Sequence, residues 1–124
     1  MRRFAKSDKV GDLLRHGISN ALLQELNDAR LRWISVTEVQ VNRDLSVARV
    51  FYTVVEPNLD RKGAAEALSE NVRPLKAYLS SRLHLRQLPE IRFAFDETAE
   101  SARRIEDLLA SLHRGEEEGG RDSG

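Results

Sequence analysis

The sequence predicts a small α+β domain in which helices cover a three-stranded sheet, in the order helix, strand, strand, kinked helix, strand, helix. Three observations predict it. Apolar residues recur at three- and four-residue steps in three separate regions, which is the mark of amphipathic helices. Between them, apolar and polar residues alternate in short β-branched or aromatic runs, as half-buried strands require. Finally, Pro74 interrupts one of the helical stripes, so that helix is expected to break.

The first helix is expected from Ser7 to Leu26, with Val10, Leu13, Leu14, Ile18, Ala21, Leu22 and Leu26 on one stripe and Ser7 or Asp8 as cap. Gly11 and Gly17 lie inside it, each costing about 1 kcal/mol relative to alanine. Tight packing or flexibility would account for them. Trp33–Val36 and Thr37–Val41 are strand-like, but their apolar phase changes near Thr37. One extra residue shifts every later side chain to the other face, so a bulge is expected there, or a strand that starts later than Trp33. Asn42-Arg43-Asp44 reads as a turn. Ala48, Val50, Tyr52 and Val54 then share one face, with Arg49, Phe51 and Thr53 opposite.

Glu56-Pro57-Asn58 ends that pattern. A second helical region starts near Leu59 and keeps Leu68, Val72, Leu75, Leu79 and Leu83 on one stripe. Pro74 lacks the N–H that would reach the Glu70 carbonyl and pushes Arg73 from helical angles. The kink is therefore expected at Asn71, Val72, Arg73 and Pro74. Ile91, Phe93 and Phe95 alternate with polar or small residues as a third strand. Asp96 or Thr98 can cap a last helix striped by Ala102, Ile105, Leu108, Leu109 and Leu112. The expected organisation is a basic arm over 1–8, one domain over 9–113, and a disordered acidic tail over 114–124, where no residue is apolar enough to be buried.

The net charge of zero hides an asymmetry. Residues 1–95 hold 16 Lys/Arg and 11 Asp/Glu, a balance of +5, whereas residues 96–124 hold 4 and 9, a balance of −5. A basic body suits a polyanionic partner, although ordinary surface charge would look the same. No cysteine is present, which excludes disulfides and thiolate metal sites. The N-terminus lacks the apolar run of a signal peptide, and no apolar stretch is long enough for a membrane span. A cytoplasmic, monomeric protein is expected. His16, His84 and His113 are scattered, with no metal or catalytic spacing, no phosphate-binding glycine loop and no nucleophile elbow. His84 with Glu90 is the one pair worth inspecting. Neither enzymatic activity nor a cofactor is expected.

The element order is that of the type II KH fold. Asp28-x-Arg30-Leu31, Arg43-Asp44-Leu45-x-x-Ala48-x-Val50, Ala67-Leu68 and Leu85-Arg86-x-x-Pro89-Glu90-Ile91-x-Phe93-x-x-Asp96 resemble the landmarks of the ribosome-binding factor A family, in order and spacing from about Lys9 to Leu112. The resemblance implies an assembly factor that binds the immature 30S subunit and its 16S rRNA and assists late maturation and rRNA processing. Two departures stand out. Ala29 occupies the place of a usual proline, and Asn71-Val72-Arg73 replaces the family's Ala-x-Gly kink. Like the family, the chain lacks the GxxG phosphate clamp of ordinary KH domains.

The candidate RNA contacts are Arg2, Arg3 and Lys6 on the arm, Arg30 and Arg43 in the landmarks, Arg73 and Lys76 beside the kink, and Arg82 and Arg86 near the end of the same stripe. Each has a plainer reading: a solvated terminus, a corner arginine, helix-surface charge, or a cation bonded to the carbonyls of a helix end. Trp33 can stack on a base or cover the edge of the core, and Phe51 is the better exposed aromatic. A general RNA-binding module and a protein-interaction adaptor are the alternatives.

Overall fold

The computed structural model describes residues 6–55 and 58–123, with side chains to residue 113. Arg2 and Arg3 lie outside the described residues, as do Glu56 and Pro57 of the expected break. Helix α1 spans Lys6–Asn20 and buries Val10, Leu14 and Ile18 at four-residue steps. Leu13, expected in the same stripe, faces solvent instead, because it lies a quarter turn off that line.

The helix does not run regularly to Leu26. It widens into a π-helical turn over Ala21–Glu25, where the Leu26 N–H reaches back five residues to the Ala21 carbonyl at 2.9 Å. Arg32 fixes this ending by donating Nη1 to the Leu22 carbonyl and Nη2 to the Leu26 carbonyl, both at 2.6 Å. A helix end leaves such carbonyls without intrahelical partners.

Strands β1 (Ile34–Val41) and β2 (Val47–Val54) form an antiparallel hairpin, and β3 (Glu90–Phe95) pairs parallel to β2, in the order β1-β2-β3. The register skips between Val36 and Glu38, which makes Thr37 the expected bulge. Trp33 belongs to the 3₁₀ turn Ala29–Trp33 that precedes the strand. At the hairpin turn Leu45 adopts φ 64°, a left-handed conformation that costs a branched residue energy. Its side chain packs against the core, and this contact offsets the strain.

Helix α2 covers Arg61–Glu70 and is capped by Asp60, whose Oδ1 accepts from Gly63 N at 2.7 Å. Helix α3 covers Val72–Arg82. The break therefore falls at Asn71 alone; Val72, Arg73 and Pro74 of the expected window are already helical, so Arg73 is not pushed from helical angles. Pro74 sits in the first turn of α3, where a missing N–H costs nothing, and Leu75 N opens the new ladder on the Asn71 carbonyl at 3.0 Å. Ala64, Ala67, Leu68, Leu75 and Leu79 are buried with Ala48, Val50, Tyr52, Val54 and the inner face of α1 in one core. Tyr52 meets Phe93 and Phe95 edge-on, at 6.3 and 5.7 Å between ring centres. The two glycines of α1 have separate reasons. A Cβ on Gly11 would stand 3.1 Å from the Val39 carbonyl of β1, and one on Gly17 would stand 2.9 Å from Leu79 Cδ2 of α3.

Helix α4 extends over Glu97–Ser123, capped by Asp96 through a 2.9 Å bond from Ala99 N. Arg103 donates to the Val54 carbonyl at 3.0 Å and ties the helix start to β2. The boundary expected at 113/114 is not a helix end, since no proline after Pro89 interrupts the i→i−4 ladder. Ile105, Leu108, Leu109 and Leu112 are 56% to 61% exposed. The stripe is present but nothing in the described chain covers it.

Candidate nucleic-acid interface

The landmarks that lie far apart in sequence meet in pairs. Asp28 caps the 3₁₀ turn by accepting from Arg30 N at 3.1 Å. The same carboxylate takes Arg30 Nε at 3.0 Å, Arg30 Nη2 at 2.7 Å and Asn71 Nδ2 at 2.9 Å. Asn71 Nδ2 also donates to the Ala67 carbonyl at 2.8 Å, the group a continuous helix would have bonded to Asn71 N. The side chain thus replaces the backbone at the break and fastens it to Asp28. Arg30 Nη2 reaches Glu70 as well. With three Arg30 donors and an Asn71 amide on it, Asp28 is held well below the usual carboxylate range, chiefly by the Arg30 side chain. Arg30, a candidate RNA contact, has its guanidinium engaged by two carboxylates of its own chain.

At the opposite end, the Arg43–Ser46 turn meets the Leu85–Arg86 segment. Glu90 N donates to the Ser46 carbonyl at 2.9 Å, and Asp44 is occupied by Ser46 N and Oγ at 3.1 and 2.7 Å. Those bonds, Ser46 Oγ first, lower the Asp44 pKa. A cleft of about 380 Å³ opens here, with Lys6, Leu45, His84 and Arg86 in its wall. Lys6 and Arg86 are both exposed, and Arg43 stands exposed in the adjoining turn. Three candidates from distant parts of the chain therefore share one end of the molecule.

Arg73 and Lys76 lie exposed on α3, nearly one turn apart. Arg82, about 9 Å beyond Lys76 along the same axis, stands over the Tyr78 ring at 5.5 Å. Tyr78 is held by Asn20 Nδ2, which donates to its hydroxyl at 2.6 Å. The candidates thus form two groups, one at the turn end and one along α3, with Arg30 locked between elements. Contrary to expectation, Trp33, at the end of the 3₁₀ turn, is the exposed aromatic, whereas Phe51 is half-buried on the outer face of the sheet. The sequence reading passed over Arg49 and Arg92, which become neighbours only through the parallel pairing of β2 with β3. A strand alternation signals which face each occupies, but not that the two strands adjoin.

His84 and Glu90 do not form a pair. His84 lines the cleft, while Glu90 accepts from Arg92 at 2.9 Å. Among the described residues no cluster of three His, Cys, Asp or Glu could hold a metal ion, and no helix is long and apolar enough to cross a membrane.

A three-stranded sheet with helices packed on one face, a helix pair broken at Asn71 and no GxxG clamp define a type II KH-like domain. The chain belongs to the ribosome-binding factor A family, whose model matches residues 6–109. A relative of that name from Macrococcus caseolyticus is 34% identical over 109 residues, covering 88% of this chain and 96% of the relative. The crystal structure of ribosome-binding factor A from Thermus thermophilus aligns with a TM-score of 0.63 at 29% identity, covering 72% of this chain and 93% of that one. A homology model of the Thermus thermophilus protein, fitted into an electron cryomicroscopy map of a 30S complex, aligns at 0.56 and 31% identity over 67% of this chain and 87% of its own.

Proposed function

We infer that this chain is a ribosome-assembly factor that binds the immature 30S subunit and its 16S rRNA and assists late maturation and rRNA processing. The observation that carries this reading is the family match across residues 6–109, together with the meeting of the family's landmarks at the two ends of the domain. Affinity comes from Lys/Arg–phosphate contacts, and the fold sets where those cations stand. Lys6, Arg43 and Arg86 form one contact group, and Arg73, Lys76 and Arg82 another; Arg2 and Arg3 are further candidate contacts by their charge. Residues 9–113 act as the binding domain, and 114–124 as a solvated acidic extension. The protein works as a cytoplasmic monomer by binding and remodelling rather than by turnover, and needs no cofactor.

The exposed Ile105, Leu108, Leu109 and Leu112 favour a second reading, in which α4 docks a ribosomal or accessory protein. Ribonuclease treatment of the purified complex separates the two. Release of the protein by limited RNA cleavage supports rRNA as the main tether, whereas retention supports a protein partner.

A further inference from the structure

The outer face of the sheet brings two like charges together. Beyond the bulge at Thr37 the register sets Gln40, Arg49 and Arg92 side by side across the three strands, with Glu38, Phe51 and Ala94 in the next row. Arg49 and Arg92 are therefore direct cross-strand neighbours, both exposed, and like charges so placed destabilise a sheet. Arg92 has a counter-charge in Glu90 at 2.9 Å, but both side chains are 57% exposed, so the pair contributes little. Arg49 has no ion-pair partner among the described residues. Arg49, Arg92 and Gln40 border an open hollow of about 370 Å³ with Val41, Asn42 and Val47.

We propose that this hollow is a separate phosphate site, which takes a backbone phosphate of single-stranded RNA between Arg49 and Arg92. A guanidinium presents a planar fork of N–H donors that matches phosphate oxygens, and two forks side by side bracket one anion. The phosphate supplies the counter-charge the fold leaves out. It thereby turns a repulsive pair into a bridge. Phe51 lies two residues along β2 on the same face, about 6.7 Å farther, where the adjoining base can stack on its ring. The choice of RNA rests on the function inferred above. An acidic protein segment is the competing occupant.

The test uses the full chain and two variants, Arg49→Gln with Arg92→Gln, and Arg49→Lys with Arg92→Lys. Binding to a ten-nucleotide oligouridylate, to inorganic phosphate, to a glutamate-rich peptide and to small subunits is measured against salt, alongside thermal unfolding. The glutamine variant should melt no lower than the parent while losing about ten-fold in oligouridylate affinity, and its log–log salt slope should flatten by roughly 1.4, two contacts at about 0.7 each. The lysine variant should recover the slope without the full affinity. Unchanged affinity and slope in the glutamine variant would overturn the site. Equal affinity for the glutamate-rich peptide would overturn RNA as its ligand, and equal affinity for inorganic phosphate would reduce it to a free-anion site. If the parent binds oligouridylate through these arginines but not small subunits, the assembly-factor reading falls and the phosphate site stands. If the glutamine variant keeps full affinity for both, the reverse holds.

Discussion

Replacing Asp28 by alanine should destabilise this domain more than removing any other surface carboxylate, because four donors converge on it. Stranding one partner of a hydrogen bond costs about 1–3 kcal/mol when that partner is buried. Here the cost is reduced: the Arg30 side chain is 39% exposed and open to water, and Asn71 keeps the Ala67 carbonyl. A loss of about 2 kcal/mol remains. In a chain of 124 residues it lowers Tm by roughly 6–12 °C. Glu70→Ala provides the contrast, since that side chain is 60% exposed and its ion pair is worth at most about 0.5–1 kcal/mol. The loss has a pH signature as well. A carboxylate whose folded pKa is depressed contributes stability above its unfolded value, near 3.9, and loses it as pH falls through the lower folded value. The gap between parent and Asp28→Ala in urea unfolding should therefore be constant from pH 7 to about 5 and narrow below about 4. A loss under about 0.5 kcal/mol, or one no larger than that of Glu70→Ala, would refute the assignment of Asp28 as the residue that fastens the helix break.

Four other perturbations test the helix break, the α3 cations and the acidic C-terminal segment. Pro74→Ala should change stability by less than about 1 kcal/mol, because the proline occupies a first turn and not a helix interior, whereas Asn71→Ala should cost about 1–2 kcal/mol and speed amide exchange across residues 68–75. Arg73→Glu with Lys76→Glu should leave Tm nearly unchanged but weaken binding to small subunits and flatten the salt dependence by roughly 0.7–0.9 per lost contact; unchanged affinity would move the RNA face off α3. Deleting Gly115–Gly124 should leave Tm within a few degrees, since those residues offer no apolar surface to bury, and a larger drop would mean that they dock on the domain.

What could be read from the sequence was what is local. The bulge at Thr37 shows as a phase change within nine residues, the Asp96 cap as a side chain beside the helix it starts, and the break near Pro74 as a breaker inside a stripe. What escaped depends on partners distant in the chain. The π-helical ending of α1 needs Arg32 from the following turn. The break itself rests on Asn71 reaching Asp28, 43 residues away, so the proline drew attention from the residue that makes the joint. The same limit applies to the site. Lys6, Arg43 and Arg86 were each visible as cations, but the cleft that Lys6 and Arg86 line, with Arg43 in the adjoining turn, required the α1 start, the hairpin turn and the segment before β3 to meet. Periodicity placed Ile105, Leu108, Leu109 and Leu112 on one face of α4 without showing that the face would stay open.

Co-sedimentation of the full chain with purified ribosomal particles tests the central claim most directly. Free small subunits, large subunits and assembled ribosomes are compared at one salt concentration, because phosphate contacts make any affinity salt-dependent. The protein should pellet with free small subunits and only weakly with the other two. Equal recovery in all three fractions would contradict the account and leave a basic domain that binds RNA without preference.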